Sequence, residues 1–437
     1  MDSTAPFVII GNGIAGVTAA ETLRNGSPQA PIVLIASDTL PVYYRPALKD
    51  YLAGRVGEEQ LRARPLTFYQ EKQLYCLSDR VVGLDPRQHL VHLQSGRQVP
   101  YTRLLLANGS RPRRLLCPGH DLNGVTTLRS VADYQAVLAR QPGVRQVVVA
   151  GGGTLALETV ESLRQRKLEV AHIIRSNTLW PAVLDATASD LVLQEEMRDG
   201  VTVLLNEEIA EITGTQGQVN GVKTSGGVRI ACQMVIVAIG IEPNLDFIKQ
   251  AGIACGRGVR VNSLMRTSQP DIYAAGDVVE SVDPRTGWAR VIGQWYPAVQ
   301  QGRAAAYAML DVLDDQRPFS ASTFYNATFL YGLDCAAVGL TSLHVPQFQD
   351  IVDEPRPRHY RKVTLYNGVP VGMLALGDRR EALAYKRALD YSVSLAPIAS
   401  SLFAEGFSMN EWLDRQGVPP PVTGASSMKL QPVMSGR

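Results

Sequence analysis

Twice in this chain, a short apolar run ends in a cluster of glycines and continues into a stretch of helical character. The first copy covers residues 8–16 (VIIGNGIAG) and the second covers residues 147–156 (VVVAGGGTLA), so only the first has all three glycines of the pattern G-x-G-x-x-G. The first glycine permits a tight strand-to-helix turn, the second lets backbone approach a pyrophosphate, and the third lets helix and strand pack closely. The pyrophosphate then lies against unpaired N–H groups at the positive end of the helix. Two copies imply two dinucleotides, and a protein that holds two most simply passes electrons between them.

Composition sets broad limits on what the chain can be. Its 437 residues suffice for two or three domains, and 45% hydrophobic with 19% charged residues is typical of a globular protein. The net charge of +2 gives no reason to expect a nucleic-acid partner. No apolar stretch reaches the roughly 18 residues that a membrane span requires. Because the first strand begins almost at the N-terminus, we expect no signal peptide and a cytoplasmic location.

The five cysteines are scattered and form no CxxC or CxxxxC pair. This spacing argues against a disulfide framework, a zinc site and a cysteine-ligated iron–sulfur cluster, so no metal site is predicted. It also removes the redox dithiol that a disulfide reductase would need.

The first fingerprint is followed by a second predicted strand at residues 32–35 and then by Asp38, which lies 22 residues past Gly16. An acid at this distance accepts hydrogen bonds from the ribose hydroxyls of a dinucleotide. The alternative is that Asp38 merely starts a turn, and the fingerprint before it favours the ribose role.

Three further segments narrow the interpretation: residues 267–277 (TSQPDIYAAGD), 104–112 (LLLANGSRP) and 41–54 (PVYYRPALKDYLAG). They resemble segments of the large pyridine-nucleotide/flavin reductase family, and the last is similar to rubredoxin and ferredoxin reductases and to apoptosis-inducing factor. The resemblance implies that the first dinucleotide is FAD and that Asp277 holds its ribityl and pyrophosphate end. Asn108 departs from the family, which has threonine there.

The resemblance also implies roles beside the flavin. Arg45 would contact FAD, and Lys49 would pair near flavin N5 with Glu158 of the second fingerprint, where a cation can stabilise negative charge on the reduced ring. Pro46 stands where related NADH oxidases and peroxidases carry a redox cysteine, so thiol-based peroxide chemistry is not expected. Residues 291–303 resemble the segment whose helix start faces the flavin O2 side, although Trp295 could equally be core packing.

The second fingerprint differs from that of NADH-specific relatives. Arg175 lies 19 residues past Ala156, where those relatives carry glutamate. An arginine there favours the 2′-phosphate of NADPH, whereas an acid favours the 2′-hydroxyl of NADH. Arg175 could instead be a solvated strand-end residue of a site that binds either cofactor or neither. Residues 237–244 (VAIGIEPN) resemble the family's closing strand, with Gly240 leaving room beside the nicotinamide.

From about residue 320 the pattern changes to short β-like runs that resemble the third domain of these reductases, most closely the flavoprotein portion of NAD(P)H nitrite reductase large subunits. The iron–sulfur and siroheme parts of those proteins have no counterpart here, so nitrite reduction by this polypeptide is not expected. The stretch 416–437 is rich in Pro, Ser and Gly and is predicted to be a disordered tail.

The sequence therefore predicts an α/β fold with two Rossmann-like dinucleotide-binding domains and a small α+β C-terminal domain. The FAD domain would be discontinuous, at 1–113 and 245–318, with the NAD(P) domain at 114–244 and the C-terminal domain at 319–415. The proposed catalytic pair is Lys49 and Glu158. The candidate cofactor-binding positions are Gly11, Gly13, Ala15, Gly16, Asp38, Arg45, Lys49, Val82, Ala107, Gly109, Gly276, Asp277 and Trp295 for FAD, and Gly151, Gly153, Ala156, Glu158, Arg175 and Gly240 for NADPH or NADH.

The favoured function is an FAD-dependent NAD(P)H oxidoreductase that passes a hydride from nicotinamide to flavin. By resemblance only, the leading electron acceptor is a small iron–sulfur carrier such as rubredoxin or ferredoxin. The competing class is a flavoprotein that senses or binds partners with low turnover, like apoptosis-inducing factor. A quinone reductase is less favoured because no amphipathic membrane-binding tail is evident.

Overall fold

The glycine turns lie at the carboxyl ends of the central strands of two parallel sheets. A computed structural model describes residues 5–38, 41–282, 289–312, 323–342, 345–354 and 356–420. Within these residues the chain forms two compact units, one made of residues 5–180 and 193–312 and the other of residues 181–192 and 323–420.

The first unit contains all strands up to residue 291. In chain order they are β1 (Phe7–Ile10), β2 (Ile32–Ala36), β3 (Tyr75–Ser78), β4 (Val81–Asp85), β5 (Leu90–Leu93), β6 (Gln98–Pro100), β7 (Arg103–Leu106), β8 (Ser110–Pro112), β9 (Val125–Thr127), β10 (Gln146–Ala150), β11 (Glu169–Ile174), β12 (Thr202–Leu205), β13 (Ile209–Thr215), β14 (Gln218–Thr224), β15 (Arg229–Ala231), β16 (Met234–Val237), β17 (Ile241–Pro243), β18 (Val259–Arg260), β19 (Ile272–Ala274), β20 (Val279–Val282) and β21 (Ala289–Val291). The helices up to residue 309 are α1 (Ile14–Gly26), α2 (Leu48–Ala53), α3 (Phe68–Glu71), α4 (Val131–Arg140), α5 (Thr154–Gln165), α6 (Ala186–Arg198), α7 (Asp246–Gln250) and α8 (Trp295–Met309). Short 3₁₀ helices cover Arg45–Ala47 and Glu58–Leu61.

The first sheet has the strand order β19-β7-β1-β2-β3, and every neighbouring pair is parallel. The strand β1 is flanked by β2 and β7, so the chain order reverses beside β1, which is the position where doubly wound sheets bind ligands. Helix α1 connects β1 to β2 and packs closely on helix α8, since a Cβ at Gly302 would collide with the carbonyl of Ala15.

The second sheet repeats this arrangement with the order β12-β11-β10-β16-β9, again parallel throughout. Its central strand β10 ends at the second glycine cluster, and α5 connects it to β11. Strands β8 and β17 form an antiparallel pair where the chain passes into and out of the part that contains this sheet. The near-identical order of the two sheets is the structural counterpart of the repeated fingerprint.

The second unit is built on an antiparallel sheet. Its strands are β22 (Tyr325–Leu330), β23 (Leu333–Gly339), β24 (Phe348–Asp353), β25 (Tyr360–Tyr366) and β26 (Val369–Leu376), in the order β22-β23-β26-β25-β24. Helices α9 (Ala382–Asp390) and α10 (Met409–Arg415) and the 3₁₀ helix Ala396–Ser401 follow, and apolar residues of both helices join those of the sheet in one core. The segment 181–192 belongs to this unit through Asp185, whose carboxylate accepts hydrogen bonds from Tyr360 Oη and Lys362 Nζ, both at 2.6 Å.

The predicted fold class is confirmed: two Rossmann-like sheets and an α+β C-terminal part. The domain boundaries proposed from the sequence remain predictions, and the boundary at 318/319 and most of the predicted tail lie outside the described residues. In the described part of the chain, no helix is both long and apolar enough to cross a membrane.

Candidate functional site

The first glycine turn has the geometry that its sequence predicts. Gly11 has φ +116°, and a Cβ there would collide with the carbonyl of Ala107 at the end of β7. A Cβ at Gly16 would collide with the carbonyl of Gly11, so helix and turn touch through backbone. A Cβ added to Gly13 would have no other atom within 4 Å. The second glycine therefore faces open space before the start of α1, as backbone that approaches a pyrophosphate must.

A tyrosine fixes the middle of this turn. Tyr69 Oη donates to Asn12 Oδ1 at 2.8 Å and accepts from the backbone N–H of Val42 at 2.9 Å. The turn is thereby tied to the segment that leads to Arg45 and Lys49. Nothing local in the sequence around Tyr69 indicated this role.

Asp277 lies after β19 and is bound by two side chains from other segments. Its Oδ2 accepts from Ser110 Oγ at 3.0 Å and from Arg129 Nη2 at 2.5 Å. Gly276 before it has φ +84°, and a Cβ there would lie 3.1 Å from the Cβ of Ala15 in α1. The late segment and the first fingerprint are thus brought together, as predicted.

Arg45 extends this cluster from the 3₁₀ helix that it begins. Its Nη1 donates to the carbonyl oxygen of Arg129 at 3.1 Å, and its guanidinium lies 5.4 Å from the ring centroid of Tyr43. Burial, together with the positive charge of Arg129, lowers the pKa of Arg45. Arg45 and Arg129 thus lie beside each other, with Asp277 bound to Arg129, and their guanidinium groups suit a phosphate group.

Several buried polar atoms around this cluster have no hydrogen-bond partner among the described residues. They are Asn108 Oδ1, Arg129 Nε and Gln294 Oε1. Buried polar groups in native proteins are nearly always satisfied, so orphaned ones next to an open glycine turn point to a polar ligand. The residues present therefore fit a dinucleotide in this cradle.

Trp295 is the first residue of α8 and contacts Tyr44 edge-to-face, with ring centroids 5.0 Å apart. It is partly buried and packs against the core beneath the first sheet. Trp295 therefore has a packing role, and its contact with the flavin stays a prediction that rests on its position at the start of α8.

The second glycine turn repeats the first. Gly151 has φ +131°, and a Cβ there would collide with the carbonyl of Ala238, whereas a Cβ at Gly153 would meet nothing within 4 Å. Ala156, at the third position, is fully buried. Alanine there is accommodated without loss of the turn, so the departure from three glycines does not disrupt the second site.

Lys49 and Glu158 form the predicted pair. Lys49 Nζ lies 2.9 Å from Glu158 Oε1, with 22% and 20% of the two side chains exposed. Ser162 Oγ donates to the backbone carbonyl of Lys49 at 3.1 Å, and Arg166 Nε donates to that of Leu52. Helix α2 is therefore fastened to helix α5, which follows the second glycine turn, and the ammonium group is held in one place.

Arg175 lies at the end of β11 with 86% of its side chain exposed, and its Nε is 3.4 Å from Glu208 Oε1. Ser176 Oγ donates to the carbonyl of Thr178 at 2.6 Å. The guanidinium is thus accessible beside the second turn, with one exposed acid near it.

The remaining predicted positions are spread over both sites. Asp38 is exposed after β2, and Ala107 and Gly109 lie at the end of β7. Gly240 has φ +106° with open space around it. Val82 lies in β4 and is 48% exposed.

Arg129 was not predicted as a site residue, although Ser130 with Asp133 three residues later is a sequence pattern typical of a helix start. Arg129 precedes a helix start at which Asp133 caps the backbone N–H groups of Arg129 and Ser130, at 2.9 and 2.6 Å. That cap fixes the backbone from which the guanidinium reaches Asp277.

The cysteines are all free thiols. Burial raises the pKa of Cys232 to about 12, and burial with the nearby Asp334 raises that of Cys335 to about 12, so both are inert thiols at neutral pH. In the described ranges, no three His, Cys, Asp or Glu side chains form a group that could hold a metal ion.

Comparison with known proteins agrees with this geometry. Residues 5–302 match the family model described as pyridine nucleotide-disulphide oxidoreductase. The ferredoxin–NAD(+) reductase component of the biphenyl dioxygenase system of Paraburkholderia xenovorans (strain LB400) is 36% identical over 306 residues, which is 70% of this chain and 74% of that protein. The NAD(P)H nitrite reductase of Bacillus subtilis (strain 168) is 30% identical over 378 residues, or 86% of this chain, but the match spans only 46% of that longer protein.

A solved structure is similar over nearly the whole chain. A ferredoxin reductase from Rhodopseudomonas palustris superposes with a TM-score of 0.84 at 26% identity, covering 94% of this chain and 100% of that one.

Proposed function

The chain belongs to the pyridine nucleotide-disulphide oxidoreductase family, and we propose that it is an FAD-dependent enzyme that oxidises NAD(P)H and passes the electrons to a small iron–sulfur carrier. The observation that carries this proposal is the Lys49–Glu158 ion pair. The pair joins α2, which begins directly after the 3₁₀ helix of Arg45 in the first cradle, to α5, which begins at the second glycine turn. Two cradles joined in this way suit electron transfer from one bound dinucleotide to another.

FAD would be held in the first cradle by the turn 11–16, Asp277, Arg45 and Arg129. When bound, it supplies the chemistry of accepting a hydride and releasing electrons singly or in pairs. The protein's part is to bind, orient and polarise. Lys49 holds a positive charge at a fixed position, and Glu158 and the Ser162 hydroxyl keep that helix in place.

We further propose that the second cradle prefers NADPH. The support is the exposed guanidinium of Arg175 at the strand end that follows the second glycine turn. A guanidinium binds phosphate through charge-assisted, often bidentate, hydrogen bonds and offers no acceptor for a ribose hydroxyl. Glu208 competes for the same guanidinium, so the preference would be moderate rather than absolute.

Two lines of support favour an iron–sulfur carrier as the electron acceptor: the named partners of relatives, and residues of this chain that disfavour electron transfer through a cysteine. The relative from P. xenovorans is a ferredoxin–NAD(+) reductase component, so its name gives ferredoxin as its partner. Within this chain, proline occupies position 46, and the two buried thiols have pKa values far above neutrality. Both observations disfavour electron transfer through a cysteine. Five free cysteines also fit a reducing compartment, which supports our proposal of a cytoplasmic location.

The decisive experiment is anaerobic mixing of the FAD-loaded protein with NADPH or NADH, followed by oxidised ferredoxin or rubredoxin. An oxidoreductase should show rapid bleaching of the flavin and rapid reoxidation by the carrier. A sensing flavoprotein would instead give slow reduction and a long-lived charge-transfer complex that carriers do not discharge. That second outcome would refute the proposed turnover function while leaving the two cradles intact.

A further inference from the structure

A buried histidine–glutamate pair lies behind the second glycine turn. His172 in β11 and Glu196 in α6 are both fully buried, and His172 Nδ1 lies 2.6 Å from Glu196 Oε1. The other ring nitrogen, Nε2, lies 2.5 Å from the backbone carbonyl oxygen of Gly151. Neither residue is among the candidate site residues named from the sequence.

The contact with Gly151 fixes which nitrogen carries hydrogen. A carbonyl oxygen can only accept, so Nε2 must be protonated and donate to it. Nδ1 and Glu196 Oε1, 2.6 Å apart, then share one further proton in a second hydrogen bond. The histidine is therefore locked at both nitrogens, and its donor is aimed at the first glycine of the fingerprint.

Holding this carbonyl controls the direction of the next N–H group. In a trans peptide the C=O of one residue and the N–H of the next point in opposite directions. With the Gly151 carbonyl held by His172, the Gly152 N–H points away from the His172 ring. In the same way, the Trp180 N–H binds the Gly152 carbonyl at 2.6 Å and so orients the Gly153 N–H. Among the described residues, no acceptor is found for either N–H, which leaves both available to an anion.

The first copy of the fold shows that the turn itself does not require this device. Strand registers place Leu34 beside Ile9 and His172 beside Val149, each two residues before the first glycine, so Leu34 and His172 are equivalent positions. Leu34 is buried, and Gly11 still adopts its positive φ. A buried ionisable pair is costly to desolvate, and apolar residues can often replace it without loss of stability. Because Leu34 takes the place of His172 in the first copy, packing of the fold alone does not explain the pair.

We propose that His172, held by Glu196, is a positioning residue for the nicotinamide dinucleotide: it orients the peptide groups that bind the pyrophosphate. This inference rests on the proposed function, because it assumes that the second cradle binds a nicotinamide dinucleotide. His172 does not touch the reacting atoms, so it acts on binding of the shared pyrophosphate. NADP⁺ and NAD⁺ should therefore be affected equally.

The test compares two variants that differ in one donor. His172→Phe removes both nitrogens and keeps a planar ring, whereas His172→Gln keeps an N–H donor at a similar reach. Calorimetric titration of the FAD-loaded proteins with NADP⁺ and with NAD⁺ should give a dissociation constant raised about 3- to 10-fold for the Phe variant, the range expected for one lost hydrogen bond. The Gln variant should stay close to the wild type, and FAD content should be unchanged in both.

The apolar double variant His172→Leu/Glu196→Leu places leucine at the position that Leu34 occupies in the first copy, and it removes the uncompensated Glu196 that a single variant leaves. It should keep its thermal unfolding midpoint and FAD content while losing affinity for both nucleotides to the same extent as the Phe variant. Unchanged affinity in the Phe and Leu/Leu variants would overturn the proposal. Equal losses in the Phe and Gln variants, or loss of folding in the Leu/Leu variant, would show instead that the pair only packs α6 on the sheet. If the wild type bound neither nucleotide, the proposed function itself would fail.

Discussion

The Lys49–Glu158 pair should behave as one unit in flavin reduction. Lys49→Ala removes the charge that is proposed to stabilise the reduced ring, and a preorganised group of this kind contributes up to a few kcal/mol, or about 10²–10³ in rate. Glu158→Gln leaves the ammonium present but no longer held by a carboxylate. We therefore expect a smaller effect from the glutamine variant.

The structure sets the size of that smaller effect. Exposed ion pairs contribute less than about 1 kcal/mol, while removing one partner of a buried pair costs about 3–5 kcal/mol. With about one-fifth of each side chain exposed and a separation of 2.9 Å, the pair lies between these limits. A coupling of about 1–2 kcal/mol, or roughly 5- to 30-fold in rate, is therefore expected.

The assay is anaerobic stopped-flow reduction of the flavin at saturating NADPH, with FAD occupancy measured for each variant. At saturating NADPH the double variant should be about as slow as Lys49→Ala alone, because Glu158 is proposed to act on the flavin through the lysine. Arg55→Ala is a matched control, since Arg55 also links the α2 region to α5 by donating to Gln165 at 2.6 Å, but its own side chain is 45% exposed. Multiplicative losses in the double variant, or an equal loss in the Arg55 variant, would refute the reasoning.

Three more outcomes follow from the structure. Asp277→Ala should lose most of its FAD during purification, measured as flavin per chain, whereas Arg113→Ala, at an exposed position, should lose none. Arg175→Glu should reverse a nucleotide preference of about 10- to 150-fold, the value of one charge-assisted contact, and an unmoved ratio of reduction efficiencies would refute the assignment. Although burial alone would raise it, hydrogen bonds from Lys362 and Tyr360 hold the pKa of Asp185 below its ordinary value. Its stabilisation is therefore present above about pH 4 and lost as the pH falls through the lowered pKa, so acid scans of thermal unfolding should be flatter for Asp185→Asn.

The sequence predicted what is encoded locally. The apolar runs, the glycine turns and the helices after them are each contained in about ten to fifteen residues, and both parallel sheets contain them as expected. The Lys49–Glu158 pair spans 109 residues and was predicted only because similar segments pair in known reductases. Resemblance thus supplied long-range contacts that periodicity cannot.

Other long-range contacts had no such source. Arg129 reaches Asp277 across 148 residues, and Tyr69 reaches Asn12 across 57. A buried polar side chain shows its partner only once the chain is folded, because neither its type nor its local pattern encodes where the partner lies. For the same reason the sequence pattern does not distinguish His172 from the apolar residues around it in β11, because its partner Glu196 lies 24 residues further along the chain.

The two copies of the fold explain why one motif cannot be given one role. Both turns begin with a positive-φ glycine pressed against the end of a neighbouring strand, and both leave the second glycine open. The backbone is therefore equally ready for a pyrophosphate in each. The strands that follow end differently: Asp38 presents a carboxylate that accepts hydrogen bonds, and Arg175 presents a guanidinium that only donates them. Because the shared backbone cannot distinguish the ligands, selectivity must come from such side chains, and they can be exchanged without disturbing the turns that position them.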